Sequence, residues 1–92
     1  MDQTTFSQQL ATDGFAEVVT VERPANGNLP AHSHPFEAKA LILQGELRLR
    51  VNAVEQSFFA GDVFHLPLGQ EHDESYGPQG VTYLVGRKTH AI

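Results

Sequence analysis

The chain has 92 residues, enough for one domain, and its lack of cysteine excludes disulfide frameworks and thiolate metal centres. A net charge of −5, with six scattered basic residues, argues against a nucleic-acid partner. No apolar run reaches bilayer length and no basic-then-apolar leader opens the sequence, so no membrane partner is expected and the expected location is cytoplasmic.

In chain order, residues 1–12 are polar apart from Phe6 and Leu10, whose spacing of four predicts one short amphipathic helix laid over the domain, with fraying as the alternative. Phe15 to Arg23 carries Val18, Val19 and Val21 and reads as a strand. Pro24 to Asn28 has turn chemistry, with Asn26-Gly27 able to take positive φ. Leu29 to His34 is extended, because Pro30 and Pro35 both disfavour helix. Ala38 to Gln44 and Glu46 to Val51 read as two strands joined by a tight turn at Gly45. Asn52-Ala53 is the next turn, followed by strands over Val54 to Phe59 and Val63 to Leu66, with a turn at Ala60-Gly61-Asp62 between them. Glu71 to Ser75 follows a turn at Leu68-Gly69-Gln70. Gly77-Pro78-Gln79-Gly80 reads as a loop and Val81 to Val85 as the last strand. The tail from Arg87 carries no signal, and His90 within it is expected to be solvated. Arg48 and Arg50 alternate with Leu47, Leu49 and Val51 and are expected on the solvated face of their strand. Short strands punctuated by Gly and Pro imply an all-β sandwich or barrel.

Chemistry concentrates in His32-Ser33-His34 and, forty residues on, in His72. In an extended chain His32 and His34 project to the same side, so two imidazoles are aimed at one point. A third imidazole from His72 would complete a nitrogen donor set that suits a divalent transition metal and leaves positions open for water or substrate. His65, within the apolar strand Val63 to Leu66, reads as a buried His satisfied by one partner, or else as a pocket group or one that supports a metal ligand. Glu71, Asp73 and Glu74 read as an exposed acidic loop, or else as a source of one carboxylate that orients a ligand His or raises its affinity for a cation. Tyr76 and Tyr83 read as core and rim aromatics.

These residues resemble the two motifs of the cupins, small jelly-roll β-barrels. The first cupin motif is His-x-His, then a Glu three or four residues on, then six residues and a Gly. The second is Gly, five residues, Pro-x-Gly, two residues, His, three residues and Asn. His32, His34 and Gly45 match the first; Gly61, Pro67, Gly69 and His72 match the second at every spacing, with Tyr76 in place of the Asn. The motifs span about residues 30–45 and 61–76, and the resemblance implies one cupin domain over residues 1–92, a double-stranded β-helix with a short N-terminal helix. It also implies a metal held by His32, His34 and His72, with iron, manganese, nickel, zinc and copper all compatible with imidazole.

The family's Glu would fall at position 38, which here is Ala38, and Glu37 stands one residue early. Strand alternation puts Ala38, Ala40 and Ile42 on one face and Glu37, Lys39, Leu41 and Leu43 on the other. That phase turns Glu37 away from the metal, unless a bulge near Pro35-Phe36 resets it; Glu37 is therefore kept as a candidate fourth ligand. Ala38 and Ala40 also clear space for a small pocket, and a three-His ion would favour an anionic or chelating ligand.

Two functions follow from the resemblance: a small metal-dependent oxygenase or isomerase, as in three-His iron dioxygenases, or a non-catalytic module that binds or senses a small molecule, as in sugar-responsive regulators. A homodimer is expected, because Leu41, Leu43, Phe58 and Phe59 exceed what one small barrel face hides.

Overall fold

Two long antiparallel strands organise the fold. The computed structural model describes residues 1–89, which form α1 (Gln3–Thr12), β1 (Glu17–Arg23), β2 (Asn28–His32), β3 (Glu37–Val51), β4 (Val54–Phe59), β5 (Val63–Leu66) and β6 (His72–Lys88). His90 lies outside the described residues. β3 and β6 pair from Glu37↔Lys88 to Arg50↔Asp73. The first half of β3 is flanked by β5, and the second half of β6 by β1, which gives the group β1-β6-β3-β5. The other halves are flanked by β4 and β2, which gives β2-β6-β3-β4. Ala38, Ala40 and Ile42 from the first group share one buried cluster with Leu47, Leu49 and Tyr76 from the second, so the groups face each other as in a jelly roll.

The turn expected at Gly45 is instead a bulge inside one continuous strand. The β3–β6 register shifts on either side of it, between Ile42 and Gln44 and between Gly45 and Leu47. Gly45 takes φ +84°, and a Cβ there would collide with the carbonyl of Gly80, so the crossing needs glycine for both conformation and space. The loop expected over Gly77–Gly80 is likewise absorbed into β6, where residues 77–80 stand opposite Glu46 alone. The two bulges let one pair of strands serve both sheets. Other turn readings hold: Asn52 and Ala53 both take positive φ between Val51 and Val54, the conformation of a two-residue hairpin, and Asn26 takes φ +58°.

Alternation along β3 separates two cores. The inner cluster holds Ala38, Ala40 and Ile42; the outer one holds Leu41 and Leu84 under Phe6, Leu10 and Phe15. Phe6 and Leu10 are fully buried on α1, as their spacing predicts. Asp2 caps this helix by accepting a hydrogen bond from Thr5 N at 2.8 Å, which holds its carboxyl below the usual Asp value. The apolar surplus expected to drive dimerisation is therefore smaller than the sequence suggests. α1 covers Leu41, and Phe58 packs on the inner cluster; Val54 and Phe59, on the edge strand β4, stay exposed. Arg50 is exposed and paired with Asp73 at 2.9 Å, whereas Arg48 is half buried and donates to the carbonyl of Tyr76 at 2.9 Å. Among the described residues no helix is long and apolar enough to cross a membrane.

Candidate metal centre and pocket

His32 closes β2 and His72 opens β6, and the two are register partners. His34 follows two residues after His32, past the end of the strand. One ligand nitrogen from each of the three lies within 4.8 Å of the others, and the ring centroids are 4.3–5.3 Å apart. Backbone carbonyls orient two of the rings: His32 Nδ1–H donates to Pro30 O at 2.7 Å and His72 Nδ1–H to Gln70 O at 3.0 Å. With the proton on Nδ1, the Nε2 lone pair is left for a cation. Burial, then the neighbouring His32 and His72, keeps His34 below the ordinary His value, while Glu74 opposes that shift. A neutral imidazole is the form that ligates. Tetrahedral donors about 2.1 Å from one ion stand about 3.4 Å apart, so nitrogens within 4.8 Å of one another must draw together to share such an ion.

The cluster forms part of the wall of a pocket of about 320 Å³, in the lower range of ligand sites. Ala38 lines it, as do Phe64, Leu66 and Val85, so the missing family carboxylate does leave space beside the histidines. Arg23 and Arg87 reach the same wall. Arg87 is held by Glu17 at 3.1 Å and lies 5.2 Å over the ring of Phe36, which in turn stacks on His34 at 4.8 Å. Tyr83 also lines the pocket; burial, reinforced by the charge of Glu74, pushes its phenol up to about 12, so its hydroxyl stays protonated.

Glu37 is not brought to the histidines. Its carboxylate Oε2 meets His65 Nε2 at 2.6 Å, on the outer side of β3 beside Lys39, Asp13 and Lys88. The alternation that begins at Ala38 runs back through residue 37 without a reset, since Glu37 and Ala38 pair in step with Lys88 and Arg87. His65, expected to be buried, has a side chain 47% exposed and shares this outer site.

The residue that the sequence reading undervalued is Glu74. Its neighbours fit the acidic-loop reading, because Glu71 is exposed and Asp73 pairs with Arg50, but Glu74 itself is buried in the pocket wall. Counting by two from His72 would have found it, because i and i+2 on a strand share a face. Arg87 lies in a stretch with no local signal, and the loop composition of Gly77–Gly80 hides the length of β6.

Comparison with known proteins agrees with the geometry. The cupin-domain family model matches residues 19–75. The chain belongs to the cupins. No curated protein matches it. Similar solved structures include an RmlC-like cupin from Shewanella frigidimarina, at 20% identity and TM-score 0.69, covering 79% of this chain and 65% of that one. The cupin domain of Schizosaccharomyces pombe Cnp3 matches at 25% identity and TM-score 0.72, covering 79% of this chain and 52% of the other. The DMSP lyase DddQ from Ruegeria pomeroyi matches at 26% identity and TM-score 0.71, covering 77% and 36%. This cupin thus spans between about a third and two-thirds of the length of these three structures.

Proposed function

We propose that this cupin binds one divalent transition metal through His32, His34 and His72 and takes a small anionic or chelating organic molecule in the adjoining pocket. The observation that carries this reading is the convergence of three imidazoles, two of them with Nδ1 tied to a carbonyl, beside a pocket with two arginines on its wall. Iron, manganese, nickel, zinc and copper all suit imidazole donors. When bound, such an ion supplies Lewis acidity toward a ligand oxygen or a water.

The chain's own residues do the rest. Arg87, fixed by Glu17 and Phe36, and Arg23 offer charge-assisted hydrogen bonds to a carboxylate. Tyr83 offers a hydroxyl that remains protonated, and Phe64, Leu66 and Val85 shield an apolar ligand body from water. Oxidation or isomerisation of such a ligand is the enzymatic form of the proposal. The similarity to DddQ adds a lyase to the chemistries that cupins of this shape support.

One observation favours the second reading, a non-catalytic binding module. Glu37 and His65, the side chains best suited by type to act as a general base, lie outside the pocket, and Glu74 is the one carboxylate among the residues that line it. Exposed Val54 and Phe59 on edge strand β4 support a homodimer in either case.

The test is elemental analysis of untagged protein purified without chelator, followed by thermal-shift screening and oxygen uptake with small organic acids. Near-stoichiometric metal and ligand-dependent turnover are the expected results. Stabilisation by a ligand without turnover would select the binding module, and failure to take up any of the five metals would overturn the metal reading.

A further inference from the structure

Glu74 lies two residues beyond His72 on β6, on the same inward face, and is only 6% exposed. Its two oxygens have different surroundings. Oε1 accepts a hydrogen bond from the Tyr76 hydroxyl at 2.8 Å, while Oε2 stands 3.7 Å from His72 Nε2, the nitrogen left free to ligate. The carboxylate is thus anchored at one oxygen by Tyr76 and presents the other to His72. A carboxylate this deeply buried needs a cationic or hydrogen-bonding counterpart; the Tyr76 hydroxyl serves Oε1, and Oε2 faces the His72 imidazole.

The distance is informative. With bonds of about 2.1 Å, two donors on one ion stand no more than about 4.2 Å apart, and 3.7 Å falls within that limit. Position 38 on β3, where the cupin pattern carries its carboxylate, is Ala38, and it lines the same pocket as Glu74. We propose that Glu74 supplies from β6 the carboxylate donor that the pattern places on β3, making a centre of three imidazoles and one carboxylate. The proposal rests on the three-His reading above. Its consequence is a change in layout: the β3 side of the ion, over Ala38, is cleared for the organic ligand, while the negative charge that tempers the ion comes from the strand of His72.

The experiment titrates the whole protein with Co(II) by calorimetry and visible absorption, comparing the parent with Glu74→Gln, Tyr76→Phe and His72→Ala. Glu74→Gln nearly preserves shape, and its amide oxygen can still accept from Tyr76, so folding is expected to survive; circular dichroism checks this. The expected result is one Co(II) per parent chain, affinity weakened by about 10–100-fold or more in Glu74→Gln with altered ligand-field bands, and a smaller loss in Tyr76→Phe, which frees the carboxylate without removing it. A Glu74→Gln protein with the parent's affinity and spectrum would overturn the carboxylate role alone. A parent that binds no Co(II), or a His72→Ala variant that binds as well as the parent, would overturn the three-His reading and this proposal together.

Discussion

The two faces of β3 carry similar residue types and do different work. On the inner face, Ala38 is small, so the space beside it becomes a pocket edged by His32, His34, His72 and Glu74, while Ala40 is sealed in the core. On the outer face, Glu37 and Lys39 sit beside His65, and Leu41 is sealed under α1 by Phe6 and Leu10. Each face therefore has imidazole and carboxylate, but among the described residues only the inner one has three donors converging at buried or half-buried positions, two of their rings tied to carbonyls. The outer His65–Glu37 pair is partly open to water, so it has the character of a surface pair. A one-residue step along a strand, from 37 to 38, separates the two environments.

That contrast can be broken most forcefully at His72. His72→Ala should weaken metal binding by more than about 100-fold, beyond the 10–100-fold typical of groups that only orient a ligand, while circular dichroism stays that of the parent. Loss of the fold would instead make His72 a structural residue. The outer face should show the reverse pattern: Phe6→Ala opens a cavity in the cluster under α1 and should cost about 3–5 kcal/mol in urea unfolding, with metal affinity unchanged. An affinity that fell with stability would show that the two faces are coupled.

A smaller effect is expected at high pH. Because the Tyr83 phenol is raised in the fold to about 12 from an ordinary value near 10, the folded chain keeps a proton that the unfolded chain gives up first. Its contribution is fully present below about pH 10 and is lost as the pH rises from there toward 12. The parent should therefore lose thermal stability more steeply than Tyr83→Phe between about pH 9.5 and 11; parallel slopes would contradict the burial argument. The smallest effect belongs to Glu37→Gln, which should change unfolding free energy by less than about 1 kcal/mol and leave metal affinity at the parent value. A clear loss of metal in that variant would bring Glu37 back to the centre.

Much of this was legible locally. The spacing of Phe6 and Leu10 announced α1, alternation from Ala38 to Leu43 named both faces of β3, and the paired motifs announced the family and the histidine cluster. What was not legible depends on partners distant in sequence. Gly45 between two alternating runs reads equally well as a hairpin turn or a bulge, and only its pairing opposite Val81 decides for the bulge. Gly77–Gly80 has loop composition, yet β3 on one side and β1 and β2 on the other carry β6 through it. Glu74 hides among charged neighbours because burial belongs to the closed barrel; composition reports the segment, and only the period of two singles out the inward residue. Leu41 looked like interface because nothing local says that α1 folds back over it.

The most direct measurement is anomalous X-ray diffraction from crystals loaded with a single metal, collected on both sides of its absorption edge. The account predicts one strong peak about 2.0–2.2 Å from a nitrogen of each of His32, His34 and His72, with a carboxylate oxygen of Glu74 at similar range. A peak beside His65 and Glu37 on the outer face of β3, or none at the three histidines, would contradict it.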